Sequence, residues 1–217
     1  MGNLWVPKTV DSGPAGDLAT ALVTDVLLLA VFALQHSVMA RRGFKAWWTR
    51  IVPAHLERAT YVLAATLALA LLLWQWRPLA LPAVWEVQSP AAKAVLWTLF
   101  CLGWGVLLLA TFLINHFELF GLRQAWTFAR GAQLPPPVFH TPLLYRYVRH
   151  PIYLGFLIAF WAAPAMTASH LLFAAGATGY ILLGIWFEER DLIREFGEEY
   201  RRYRRQVGML IPGRRNR

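Results

Sequence analysis

The sequence predicts an all-α polytopic membrane protein: a single domain over residues 1–217 with five transmembrane helices, a C-terminal helical hairpin and an interfacial amphipathic helix. Three observations carry that expectation. Hydrophobic residues make up 58% of the chain and charged residues 15%, against about 45–50% and about 25% in soluble domains. The apolar residues gather into runs, most of them near the roughly 20 residues that cross about 30 Å of hydrocarbon. Lysine and arginine are concentrated in alternate connections between the runs.

The first run, about 18–40, holds Asp25, Gln35, His36 and Ser37 among its apolar residues. The second, 59–76, and the third, 94–114, contain no charge. The fourth, 152–166, is short and includes Pro164, and the fifth follows at 171–187. These two are expected to form the hairpin, turning near residues 164–170. The polar connection from 115 to 150 contains LPPP at 134–137, a stiff loop because proline fixes φ and lacks an N–H. Beyond the fifth run, FEERDLIREFGEEYRRYRR sets Ile193, Phe196, Tyr200 and Tyr203 on one helical face opposite acids and arginines. That is the pattern of an amphipathic helix continuing from the last span.

Eighteen of the 21 Lys and Arg residues fall within 41–58, 123–149 and 190–217, leaving Lys8, Arg77 and Lys93 for the other side. Such residues stay on the cytoplasmic face during insertion. With five helices this puts the amino terminus outside and the carboxyl terminus in the cytoplasm, as in a bacterial inner membrane. The net charge of +9 is therefore a property of membrane-flanking loops, and nucleic acid is not expected as a partner. Residues 1–17 lack the basic region and short apolar core of a cleaved signal peptide. Cys101 is the single cysteine, so no disulfide framework is available. The histidines are scattered at 36, 55, 116, 140, 150 and 170 without HExxH or CxxC, and no metal is expected.

Four places carry polar groups able to do chemistry. In YVRHPIYLGF, residues 147–156, Pro151 suits the first turn of a helix. The amides and positive dipole end there favour an anion beside Arg149, His150 and Tyr153; the plainer account is a snorkelling arginine with interfacial His and Tyr. Glu188 and Glu189 leave the fifth run, suited to a cationic or hydroxyl-bearing ligand or to pairing with nearby arginines. NHFELFGLRQAW, residues 115–126, gathers Asn115, His116, Glu118, Arg123 and Gln124. Asp25 lies inside a membrane run, where an ionisable group is costly and points to function; His36 sits nearer that run's end.

The ordered set RHPIYLG, an apolar hairpin and EERDLIREFGEEYRRYRR resembles the carboxyl-terminal signature of integral-membrane methyltransferases related to isoprenylcysteine carboxyl methyltransferase. FALQHSVMAR, ERATYVL, NHFELFGLRQ, AFWAAPAMTASHLLFA and VGMLIP extend the likeness over nearly the whole chain, where it is similar to bacterial methanethiol S-methyltransferases. NnrU-like membrane proteins share the plan. The resemblance implies S-adenosylmethionine bound at the cytoplasmic face by a region of about 140–211, with Arg149, His150, Tyr153, Leu154, Gly155, Glu188, Glu189, Tyr200 and Tyr203 around it. It implies methylation of methanethiol, a small volatile thiol that partitions into the bilayer, to dimethyl sulfide. Substrate contacts would come from Asp25, His36, Asn115 and Gln124.

The nucleophile in such a reaction is the thiolate, and in-line transfer gains from positioning in a dry pocket. His116 or Tyr145 would relay the proton, and Arg123 or Arg149 would stabilise the anion. Two other functions fit the same signature: methylation of another lipophilic acceptor, such as a prenylcysteine-like carboxylate or a phospholipid amine, and a non-catalytic, haem-binding role of the NnrU-like kind.

Overall fold

The structure is a computed structural model that describes residues 6, 8–13 and 16–213. Arg214, Arg215 and Arg217, counted in the charge asymmetry, and much of the stretch read for a signal peptide lie outside the described residues.

The chain is mostly helical. Four helices are long and apolar enough to cross a membrane: α1 (Leu18–Met39), α3 (Glu57–Gln75, entered through a 3-10 turn at Ala54–Leu56), α4 (Pro90–Ile114) and α8 (Ala168–Phe196). Between them lie α2 (Arg42–Trp48), α5 (His116–Leu119), α6 (Leu122–Ala129), a 3-10 turn at Leu143–Arg146 and α7 (Pro151–Trp161); α9 (Glu198–Gln206) follows α8. Starts are where the sequence supplies caps: the Asp17 carboxylate accepts from the Thr20 N–H at 2.9 Å, and Ser89 precedes Pro90 in the first turn of α4.

Two elements differ from expectation. The fourth predicted run, 152–166, yields only the 11 helical residues of α7, about 16 Å long at 1.5 Å per residue. Its remainder turns at Ala162–Ala163 and bends at Pro164, and Ala165–Met166 (β2) pairs antiparallel with Trp85–Glu86 (β1). The helix expected to run on into the interface breaks at Gly197, whose φ of +56° is ready for glycine and strained for other residues. Its apolar stripe is covered by protein: Phe139 packs on Phe196, Tyr200 and Tyr203.

The chain forms two compact units. One contains the described residues up to Glu86 with His116–Pro135 and Ala165–Gly176. In it α1 packs on α3, and Trp76 and Phe173 meet edge to face at 5.7 Å. Asp25 is 0% exposed, and its Oδ1 accepts the Arg77 N–H at 3.0 Å just past the end of α3.

The other unit contains Val87–Asn115, Pro136–Pro164 and the chain from Ala177 on. Its frame is α4 against α7, where backbones touch. A Cβ on Gly155 would stand 2.6 Å from the Gly103 carbonyl oxygen, and one on Gly103 would stand 2.7 Å from the Ala159 nitrogen. Only glycine fits both positions without moving a helix.

Candidate functional site

The second unit concentrates its charge at the mouth of α7. Arg149 is 8% exposed along its side chain. Its Nε donates to Glu189 Oε1 at 2.8 Å, and its Nη1 donates to the carbonyls of Arg204 and Val207 at 3.0 and 2.5 Å. The backbone joins in: Val148 bridges Gly208 in parallel, the Arg149 N–H donates to Gly208 and the His150 N–H to Met209. The VGMLIP tail thus straps onto the residues before α7. The amides of residues 149 and 150, part of the mouth expected to favour an anion, are occupied by the tail's own carbonyls.

His150 is buried, and its Nε2 lies 3.2 Å from Glu189 Oε1. An ionised carboxylate only accepts, so Nε2 carries the proton. Arg204 reaches Glu189 Oε2 at 3.1 Å, giving that acid three cationic or N–H partners. Glu188, one residue earlier on α8, has a side chain 44% exposed, and its Oε2 lies 3.8 Å from the His150 Nδ1. Adjacent acids on one helix thus take different work: Glu189 is a buried anchor and Glu188 an accessible carboxylate.

Aromatic residues complete the cluster. The Tyr153 ring lies 5.7 Å from that of His150. Tyr203 donates to the Tyr145 carbonyl at 2.6 Å, and Tyr145 donates to the Ala110 carbonyl at 3.4 Å. Tyr200 is 2% exposed, and its hydroxyl has no hydrogen-bond partner among the described residues. Burial pushes the Tyr203 phenol up to about 12 and raises those of Tyr145 and Tyr200 as well. All three stay protonated at physiological pH.

The expected residues are divided. Arg149, His150, Tyr153, Glu188, Glu189, Tyr200, Tyr203 and Tyr145 come together in this cluster. Leu154 makes the first helical bond of α7, to the His150 carbonyl, and Gly155 faces α4. Asn115 ends α4, its N–H on the Thr111 carbonyl. The others belong to the first unit. There Arg123 pairs with Glu118 at 2.7 Å, Gln124 donates to the Glu118 carbonyl, and His116 packs on Phe120. His36 Nε2 and the Tyr61 hydroxyl lie 2.7 Å apart.

Arg204, Val207, Gly208, Met209, Phe139 and Tyr61 were not among the candidate site residues, although VGMLIP and ERATYVL were among the stretches that carry the resemblance. Their partners lie far along the chain. Among the described residues no group of three or more His, Cys, Asp or Glu side chains is arranged to hold a metal ion.

Residues 26–210 match the model of the NnrU protein family. The chain belongs to the NnrU family. Within it the chain groups with the methanethiol S-methyltransferases: it is 58% identical to that of Mycobacterium tuberculosis over 213 residues, covering 98% of this chain and 86% of the relative. It is 57% identical to that of Pseudomonas deceptionensis over 217 residues, covering 100% and 82%. A more distant relative is nurim of Sus scrofa, 31% identical over 179 residues, covering 79% and 68%. No solved structure matches the chain.

Proposed function

We propose that this protein methylates methanethiol to dimethyl sulfide with S-adenosylmethionine as methyl donor, at the cytoplasmic face of the membrane. The observation that carries the proposal is the likeness, end to end and above 55%, to proteins named for that reaction. The geometry supports the donor. Glu188 offers an accessible carboxylate for a cationic ligand, and the Tyr200 hydroxyl is a buried polar group left without a partner. A ligand carrying an ammonium, a carboxylate and a ring with polar edges suits such a set.

When bound, S-adenosylmethionine supplies an electrophilic methyl group on a sulfonium. Glu188 would hold its positive charge and Tyr200 a polar edge, with Tyr153 and Tyr203 beside them. Glu189, Arg149 and Arg204 position: they fix His150 and the tail, so that the pocket is formed before ligand arrives. Tyr145, kept protonated by burial, acts as a hydrogen-bond donor rather than a base. Arg123, His116, Asn115, Gln124, Asp25 and His36 remain the thiol-side set.

The proposal includes five crossings. The fifth crossing would be made by residues 151–166, in which α7 covers about 16 Å and the apolar, non-helical remainder continues from it. Non-helical backbone at membrane depth requires protein cover, and Ala162, Ala163 and Met166 are all buried. Five crossings place the termini on opposite sides, four on the same side. Reporter fusions at each end decide between them.

The functional test is headspace gas chromatography of membranes supplied with S-adenosylmethionine and methanethiol, with Glu188→Gln alongside. Dimethyl sulfide from the parent and a raised KM for the donor in the variant support the proposal. Donor binding without dimethyl sulfide moves the search to other acceptors, and no donor binding sinks the methyltransferase assignment.

A further inference from the structure

The amphipathic stripe near the carboxyl end is covered by Phe139, and the first unit holds another candidate for the edge of the bilayer. Its basic connections, 41–58 and 116–135, carry seven lysines and arginines against two acids, Glu57 and Glu118. Both acids are engaged: Glu57 lies 3.9 Å from Lys45, and Glu118 lies 2.7 Å from Arg123. Arg50 and Arg130 meet no carboxylate among the described residues. Large apolar side chains stand exposed among these charges, Trp47 and Ile51 in the first connection and Leu122, Trp126 and Phe128 in the second. Leu122 and Trp126, four residues apart, share one face of α6. The Arg130 guanidinium lies 4.6 Å over the Trp126 ring.

A groove of about 270 Å³ opens beside α6. Ala54, Phe128 and Leu134 make it apolar, and His55, Gln124 and Thr127 bring polar atoms to it. The His55 imidazole lies flat on the Phe128 ring, with centroids 3.6 Å apart and planes 6° from parallel. Such a stack occupies a face of the imidazole and leaves its edge, where an N–H is carried, for another partner. Among the described residues no hydrogen bond takes up that edge. The walls are fixed before anything enters. Arg58 Nε donates to the Leu119 carbonyl at 2.8 Å, and the Trp48 indole donates to the Thr60 hydroxyl at 2.9 Å. Gly121, at φ +81°, brings the start of α6 so near α3 that an added Cβ would stand 2.5 Å from the Ala59 nitrogen.

We propose that this groove seats the headgroup of an anionic phospholipid, with the phosphate held by Arg130 and His55 and the acyl chains along Leu122, Trp126 and Phe128. Charge selects the class. Seven cations against two acids favour a headgroup of net negative charge, and a guanidinium meets two phosphate oxygens at once. The apolar neighbours select the source, because a free phosphate gains nothing from exposed Leu122 and Trp126. An indole with an arginine over it belongs at headgroup level, where amphipathic rings gather. Thr127 adds a hydroxyl donor to the same groove. A preformed seat loses little ordering free energy on binding. That separates one lipid held in one place from the general attraction of basic loops to an anionic leaflet.

The test titrates the purified full chain in detergent with dioctanoyl-phosphatidylglycerol or dioctanoyl-phosphatidylcholine and counts bound lipid by native mass spectrometry. The variants are Arg130→Gln, Arg130→Lys and His55→Ala. Arg190→Gln is the control, since that guanidinium lies 4.0 Å over Trp186 in the other unit, away from the groove. The expected result is one phosphatidylglycerol at saturation, held about tenfold more weakly in Arg130→Gln and in His55→Ala. Arg130→Lys should restore part of the affinity, and Arg190→Gln should leave it unchanged. A thermal melt without lipid checks that each variant folds; Arg130 is exposed, so its variants decide the matter if His55→Ala does not fold. Binding that never saturates, equal affinity for the two lipids, or the same loss in Arg190→Gln as in Arg130→Gln overturns the proposal. Displacement of the lipid by inorganic phosphate at a similar concentration also overturns it, by showing a site that ignores the acyl chains.

Discussion

Arginine 149 offers the sharpest test of what the signature does, because its contacts specify how much should be lost. Arg149→Ala removes two hydrogen bonds to the Arg204 and Val207 carbonyls, about 1 kcal/mol each. It also strips a guanidinium from Glu189, and breaking a buried ion pair costs about 3–5 kcal/mol. His150 and Arg204 still face that carboxylate, so roughly half of this figure applies. The expected destabilisation is about 4 kcal/mol. Arg149→Lys keeps the charge but cannot serve Glu189 and two carbonyls from one point, and should recover about half of the loss. Unfolding in detergent, followed by tryptophan fluorescence, reads the stability, and limited proteolysis reads the strap. In Arg149→Ala, cleavage should begin within 204–213 before the rest of the chain is touched. An unchanged midpoint with a protected tail would refute the reasoning and return the guanidinium to the list of groups free to bind a ligand.

Gly155→Ala should destabilise by about 1–3 kcal/mol through overpacking, offset by about 1 kcal/mol of helix propensity, because the atoms it meets are the backbone of α4; a rise in thermal stability would show that the helices part easily. Asp25→Ala leaves the Arg77 N–H without its acceptor and should cost about 1–3 kcal/mol, whereas Asp25→Asn, which keeps an oxygen there, should cost less; equal losses in a detergent melt would point to a role beyond this bond. Burial raises the Tyr203 phenol from 10.0 to about 12, so its contribution is complete below pH 10 and is lost as pH rises toward 12. Between those limits the parent should lose stability faster than Tyr203→Phe in an alkaline unfolding series.

Much of the architecture was legible because lipid imposes a simple rule on composition: four of the predicted runs are spans by length and apolarity in the structure. The 152–166 run misled because hydropathy reports where a segment is soluble, not whether its backbone is helical; at Ala162 the chain changes conformation while remaining apolar. Gly197 stood in plain sight within REFGEE, yet periodicity carried across it, since one residue in a left-handed turn barely disturbs a count of apolar positions. The signature residues 149, 150, 153, 188 and 189 were found as a set. What they do for one another was not, because Arg149 and His150 meet partners 39 to 58 positions away. The His36–Tyr61 pair, 25 residues apart, was half visible: the histidine was noticed in its span, and the tyrosine entered only within ERATYVL, one of the stretches that carry the resemblance.

The strap formed by residues 207–209 also sets an order of events during synthesis. Arg149, His150 and Glu189 are made and inserted while the carbonyls that will hold Arg149 have yet to be added to the chain. Until residues 204–209 leave the ribosome, the buried charges of the signature lack their last partners. Maturation of this site therefore waits on that segment, and a chain cut before it would be a membrane protein with its helices in place and Arg149 unanchored.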